Sequence, residues 1–338
     1  MRKLTRLALT LGLVLTVSAC GASKDGSSGS GGDSKTYKIA ISQFVEHPSL
    51  DATRQGFLGA LKEAGIVEGK NLKVDYNNAQ GDPSNNLSIA QKLAGDKNDL
   101  VLAIATPSAS AVASQVTDTP ILFAAVTDPV AAKIVTDLEK PGGNISGASD
   151  TNPEAITQLM EFIAANFPNV KTVGLVINEG EMNAVVMANK AEEELGKHGI
   201  KLVKAAVTNT SEVKQAAESL VGRVDALYIT LDNMVVSGID ALLQVARDEK
   251  LPLFSSDRDT VEKGAFATVG FKYYDHGYQV GRMAVEILKD GKKPADMKVT
   301  MPDKLDLIIN AKAAPDMGIE VTDAMKSAIK DQETNLIQ

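Results

Sequence analysis

From residue 37 onward, short apolar runs alternate with longer stretches whose apolar residues recur every three to four positions. The runs at residues 37–41, 72–76, 100–105 and 120–125 read as strands. Those at 49–64, 85–93 and 108–116 read as helices, with Phe57, Leu58, Leu61 and Ala64 on one face of the first. Another helix is expected after Pro129. Strands separated by helices return through those helices and pair in parallel, leaving both faces of the sheet covered. Pro141-Gly142-Gly143-Asn144 punctuates the series, and the Gly-rich stretch 142–147, which opens no helix, reads as a crossover turn. The alternation then restarts. Helices are expected at 155–166, 183–198, 212–221 and 237–249, and strands at 172–177, 201–207, 226–230, 251–254 and 266–269. A last strong helix, 274–289, stops at Asp290-Gly291. Two series of similar size predict an α/β protein of two doubly wound, parallel-sheet lobes. A chain that is 44% hydrophobic but only 4% aromatic, with no Trp, suits the aliphatic core of such sheets.

The first residues set the compartment. Arg2, Lys3 and Arg6 precede an apolar stretch, 7–17, that is too short for a stable membrane span. Val17-Ser18-Ala19-Cys20 follows, and this run resembles a bacterial lipobox, in which Cys20 is lipidated and becomes the first mature residue. Residues 1–19 are therefore read as a signal peptide and 20–36 as the lipidated Cys and a flexible tether. The tether is dominated by Gly, Ser and Asp, and about 16 such residues reach roughly 20–25 Å. The expected location is the outer face of the cytoplasmic membrane. Cys20 is the only cysteine, which leaves the body without a disulfide, a thiol nucleophile or a thiolate metal cluster. The chain carries a net charge of −8, and cleavage removes three cations more, so nucleic acid is a poor partner.

Open parallel sheets bind ligands at the carboxyl ends of their strands. The loops at those ends are residues 42–47, 105–108 and 126–129 in the first series, and 178–183, 231–234 and 255–258 in the second. The first set offers Gln43, Phe44, Thr106, Ser108, Thr127 and Asp128, mostly hydroxyls at helix starts. The second offers Asp232, Asn233 and Asp257. Helix N-termini with hydroxyl donors suit a carboxylate, and an aspartate on the facing lobe suits an ammonium. Together they would clamp an amino acid. Each residue taken alone also fits a plain helix cap, and the sequence does not choose between Asp232 and Asp257.

Catalytic chemistry is missing. Of the three histidines, His198 reads as a surface cation at a helix end, His276 as half exposed, and only His47 lies in a site-facing loop. No His pair has metal-ligand spacing, and there is no nucleophile elbow, phosphate loop or dinucleotide fingerprint. Glu179 and Glu181 read as solvated loop acids. No catalytic residue, metal or cofactor is called for. An exported hydrolase would need a nucleophile and base in one loop set, and none is found.

Taken together, residues 42–48, 103–107, 125–130 and 141–147, with Asp232-Asn233, Ser255-Ser256-Asp257, residues 310–314 and Met317-Gly318-Ile319, resemble the tryptophan/tyrosine-type family of ABC transporter substrate-binding proteins. The resemblance spans nearly all of the mature chain. It implies a type I periplasmic-binding fold, with two lobes joined by a three-strand hinge and closing on a ligand. It implies lobes of residues 37–148 with 272–298, and 149–271 with 299–338. It implies site roles for Phe44, Thr106, Ser108, Thr127, Asp232 and Asp257. It also implies a monomer that captures an amino acid, an aromatic one by the family's example, for ABC permease subunits. Nucleosides, sugars and signalling peptides remain alternative ligands.

Overall fold

The first sheet consists of β1 (Tyr37–Gln43), β2 (Leu72–Asn78), β3 (Leu100–Ile104), β4 (Ile121–Val126) and β5 (Ile145–Ser149) in the order β2-β1-β3-β4-β5, all parallel. The structure is a computed structural model and describes residues 35–302 and 304–338, so the signal peptide, Cys20 and nearly all of the tether lie outside the described residues. Helices α1 (Pro48–Glu63), α2 (Pro83–Gly95) and α3 (Thr106–Gln115) connect the strands. Alternation along each strand sorts the core into two layers. Ile39 and Ile41 of β1 join Phe57 and Leu61 of α1 on one face, while Ala40 joins Leu93 and Val112 on the other.

The second lobe repeats the plan with α4 (Pro153–Asn166), β6 (Thr172–Ile177), α5 (Met182–Lys197), β7 (Lys201–Ala206), α6 (Val213–Leu220), β8 (Ala226–Ile229), α7 (Asn233–Ser237), α8 (Ile239–Asp248), β9 (Leu253–Ser255), α9 (Arg258–Lys263) and β10 (Ala267–Gly270). Next come α10 (Tyr273–Asp290), β11 (Asp306–Asn310), α11 (Asp323–Ser327), α12 (Gln332–Asn335) and β12 (Leu336–Ile337). The second sheet runs β12-β11-β10-β9-β8-β6-β7, with β11 antiparallel to β10 and the other pairs parallel. Phe167 packs edge-on against Phe254 and Phe266 in its core, at centroid distances of 5.2 and 5.8 Å.

The chain passes between the lobes three times. It leaves β5 for α4 through residues 150–152, leaves β10 for α10 through 271–272, and returns to β11 after Thr300. Helix α10 packs on the first sheet, where Val280, Met283 and Ile287 enter the layer that holds α1. Thr300 pairs beside β5, its N–H reaching the Gly147 carbonyl at 3.1 Å and its carbonyl taking the Ser149 N–H at 2.8 Å. No helix among the described residues is long and apolar enough to cross a membrane.

Helices α1 and α10 approach closely enough that backbone meets backbone. A Cβ on Gly277 would lie 1.9 Å from the Thr53 carbonyl oxygen, and one on Gly56 would lie 1.9 Å from that of Tyr274. The two helices are thereby held side by side.

Some sequence expectations are corrected. The segment after Pro129 is a set of turns rather than a helix. Asp128 Oδ1 takes the N–H groups of Val130 and Ala131, and Lys133, at φ 57°, has left the helical region. Residues 145–149, expected to begin in a crossover turn, form the buried strand β5. Gly147 allows this because a Cβ there would lie 2.1 Å from the Phe123 carbonyl oxygen. The helix expected at 237–249 is α8, and a short helix, α7, precedes it where a loop was expected, separated from it at Gly238. His276, expected half exposed, is buried, and its Nε2 accepts the Ala125 N–H at 3.0 Å. Burial pushes that imidazole down to about 4, so it is the neutral acceptor this bond requires.

Candidate functional site

Loops after β1, β4, β6, β8 and β9 meet around a small cavity between the lobes. The first lobe contributes His47, Ser49, Leu50, Ala125 and Thr127, and the second Asn183, Leu231, Asn233, Val236 and Asp257. Asp150 and Tyr273, from two of the crossovers, complete the wall. These two are joined by a hydrogen bond from the Tyr273 hydroxyl to Asp150 Oδ2 at 3.1 Å. Two bonds cross the cleft: Ser49 Oγ donates to Asp257 Oδ1 at 3.0 Å, and His47 Nε2 meets Asn233 Oδ1 at 3.3 Å. The lobes are closed on each other.

The two walls have opposite polarity. On the first-lobe side, α1 begins without a side-chain cap, and its first-turn residues Ser49 and Leu50 line the cavity. Helix α10 likewise has no side-chain cap, and its first residue, Tyr273, is at the wall. Uncapped helix starts present free N–H groups and the positive end of the helix dipole. The other side carries acceptors. The Asp257 carboxylate is held by Ser49 Oγ, Ser255 Oγ, Thr260 N and Thr260 Oγ1 at 2.6–3.1 Å. Asp150 is buried, and that burial pushes its carboxyl up to about 6 despite hydrogen bonds from Tyr273 and Thr151. Two further acceptors are buried without partners, Asn183 Oδ1 on this side and His47 Nδ1 reaching in from the first lobe. An unsatisfied buried polar atom costs about 1–3 kcal/mol, so these two point to a donor that a ligand brings.

Two apolar spaces adjoin this polar centre. One, of about 260 Å³, shares Thr127 with it and is lined by Pro129, Leu138, Pro153, Ile156, Val186 and Met187, together with Asp128 and Lys190. The other, much smaller at about 20 Å³, shares Asp150 and Leu231 and is lined by Ile156, Leu159 and Phe271.

Of the residues singled out in the sequence, Thr127, Asn233 and Asp257 line the polar cavity, and Thr127 and Asp128 the apolar one. The others stand behind the walls. Gln43 is fully buried, binding the Val45 carbonyl and Asp51 and accepting from Arg54. Phe44 belongs to the core of the first lobe. Thr106 Oγ1 accepts the Thr127 N–H at 3.3 Å, and Ser108 Oγ donates to Asn86 at 2.9 Å, so both support the wall without forming it. Asp232 also stands outside the cavity lining. Its carboxylate is absorbed by the N–H groups of Asn178, Met234 and Val235 at 2.6–3.1 Å, capping α7.

Sequence reasoning passed over Ser49, Asp150, Asn183, Tyr273 and Glu181. Asn183 stood in a loop already read as site-facing, which was the available signal. Glu181 is not a solvated acid: only 3% exposed, it accepts four N–H bonds. Burial pushes its pKa upward, and those bonds oppose the shift.

Interlobe clefts lined in this way occur in proteins that trap small solutes, and the comparisons place the chain among them. A profile of the ABC transporter substrate binding protein family matches residues 38–332. The chain belongs to that family. It is a substrate-binding protein rather than an enzyme, and such proteins bind a small-molecule ligand and work with ABC permeases. A Tyrosine-binding protein of Clostridioides difficile is 42% identical over 279 residues, covering 82% of this chain and 80% of the relative. The structure of an ABC domain from Streptococcus pneumonia in complex with L-Trp is 35% identical, covers 88% of this chain and 99% of its own, and superposes with a TM-score of 0.82. A ligand-free, open substrate binding protein from Clostridium difficile is 41% identical over 89% of this chain and 98% of its own, with a TM-score of 0.64. The substrate-binding protein described here thus superposes better on the tryptophan complex than on the open protein, although the latter is nearer in sequence. The cross-cleft bonds of Ser49 and His47 agree with this.

Proposed function

We propose that this substrate-binding protein is an extracytoplasmic, lipid-anchored monomer that closes on an aromatic amino acid and hands it to an ABC importer. The observation that carries the reading is the opposed polarity of the two walls. An α-carboxylate fits the uncapped starts of α1 and α10 beside Ser49 and Thr127. An α-ammonium fits Asp257, Asp150 and the unpartnered acceptors Asn183 Oδ1 and His47 Nδ1. The apolar space that opens past Thr127 takes the side chain. A sugar or nucleoside offers no ammonium to these acceptors. The tyrosine-binding and tryptophan-bound relatives support the same class of ligand. In this reading the lobes are residues 37–148 with 272–298, and 149–271 with 299–338, and they close by rotation about the three crossovers.

The chain contains no Trp and 6 Tyr, so indole fluorescence comes only from bound ligand. Adding tryptophan to protein stripped by unfolding and refolding should produce blue-shifted indole emission and calorimetric heat. Tyrosine should displace it. No heat with either amino acid, together with a raised melting temperature on adding a sugar or nucleoside, overturns the ligand assignment.

The anchor is tested separately. Cys20→Ser should move the protein from the membrane fraction to the soluble one and abolish incorporation of labelled palmitate. Continued labelling of the Ser variant defeats the lipoprotein reading.

A further inference from the structure

The Asn183 amide has acceptors on one side only. Its Nδ2 lies 2.9 Å from Glu181 Oε2 and 2.6 Å from the Leu231 carbonyl oxygen. A carboxylate and a carbonyl both demand N–H, so the amide cannot flip, and its oxygen is left free on a side chain that lines the cavity. Asn233 is fixed by the same carboxylate. Its Nδ2 lies 2.5 Å and its backbone N 3.1 Å from Glu181 Oε2, which turns its Oδ1 toward His47 across the cleft. An amide oxygen only accepts, so His47 must carry its proton on Nε2. Burial holds this imidazole below its usual pKa, in the neutral form, and Nδ1 is then a bare acceptor with no partner.

We propose that Glu181 is a positioning residue which, touching no ligand, fixes the polarity of the ammonium subsite through two relays: Glu181 to Asn183 Oδ1, and Glu181 through Asn233 to the Nε2–H tautomer of His47. Four N–H groups converge on its two oxygens: Asn183 Nδ2, Asn233 N and Asn233 Nδ2 on Oε2, and Met234 N on Oε1. A glutamine there would place an NH₂ against donors, and either neighbouring amide would then be free to turn its own NH₂ into the cavity. The same loop carries the carboxylate and one of the amides it orients, while the other amide comes from the turn after β8, 52 residues further on. Glu181 therefore acts as a shared reference for two elements of the second lobe and one residue of the first. Only the affinity arm of the test rests on the proposed aromatic amino-acid ligand.

The test uses protein labelled with ¹⁵N-histidine, and the chain has three histidines to assign. In the native protein His47 should show a protonated Nε2 and an unprotonated Nδ1. Glu181→Gln should mix or reverse the tautomer. It should also lower the preference for tryptophan over its α-hydroxy analogue, indole-3-lactate, by about tenfold or more, because an acceptor has become a donor facing the ammonium. A purely structural role would weaken both ligands alike. Asn233→Ala, which cuts one relay and leaves Asn183 held, should release the tautomer and keep part of the discrimination. An Nδ1–H tautomer in the native protein overturns the proposal. So does a folded Glu181→Gln protein with unchanged tautomer and unchanged ligand ratio, or, should that variant not fold, an unchanged tautomer in Asn233→Ala. If native protein binds neither tryptophan nor tyrosine, the ligand assignment fails, and the tautomer measurements still decide the relays.

Discussion

Asp257→Asn should cut affinity for an aromatic amino acid by two to three orders of magnitude, while Asp232→Asn should leave it nearly unchanged. Removing one partner of a buried charge pair costs about 3–5 kcal/mol, and about 1.4 kcal/mol is a factor of ten. Asp257 lines the polar cavity, and one of its four bonds, from Ser49 Oγ, comes from the opposite lobe. In the proposed complex the ligand ammonium replaces that hydroxyl. The amide in Asp257→Asn keeps the shape but loses the charge. Asn caps a helix as well as Asp does, so the cap of α9 on the Thr260 N–H persists and the affinity loss reports the charge. Asp232 spends its carboxylate on three backbone N–H groups outside the cavity. Its Asn variant should therefore melt earlier and bind as before. Equal affinity losses in the two variants, or none in Asp257→Asn, would remove Asp257 from the ammonium subsite.

Gly277→Val should destabilise the first lobe by at least about 3 kcal/mol, and a larger loss that prevents folding is consistent with the geometry. The new Cβ would lie 1.9 Å from the Thr53 carbonyl oxygen and 2.7 Å from its Cα. Neither is the end of a flexible side chain, so relief requires α1 and α10 to separate. These two helices bring Ser49, Leu50 and Tyr273 to the cavity, and any variant that does fold should also bind weakly. Gly196→Ala is the control. That glycine lies exposed within α5 with nothing within 4 Å of an added Cβ, and alanine there should raise stability by roughly 0.5–1 kcal/mol. Denaturant midpoints of the two variants give the comparison. A Gly277→Val protein as stable as its parent would mean that the close crossing does not persist in solution.

The alternation of strand-like and helix-like segments was sufficient to read two parallel α/β lobes, because helical and strand periodicities are local properties of the chain. The edge of the sheets that carries the site followed from topology, and the polarity of its loops, hydroxyls first and acids second, was visible in composition. Two local readings failed: the segment after Pro129 is turns rather than a helix, and the short helix α7 stands where a loop was expected. Which acid faces the cleft was beyond reach, for a physical reason. Asp232 and Asp257 are both helix caps with similar neighbours, so local sequence gives them the same reading. Their roles separate through what supplies the next hydrogen bond: the Asn178 N–H, 54 residues away, for Asp232, and the Ser49 hydroxyl, 208 residues away on the other lobe, for Asp257. Glu181 reads as a solvated acid for the same reason, since a carboxylate on a short loop is solvated unless distant segments cover it. The sequence by itself determined the α/β fold class, the edge of the sheets where the cavity lies, and the kinds of side chain there. Only the tertiary structure decided which of those side chains line the cavity and which are spent holding others in place, because burial and the pairing of hydrogen-bond donors are set by contacts between segments that are far apart in the chain.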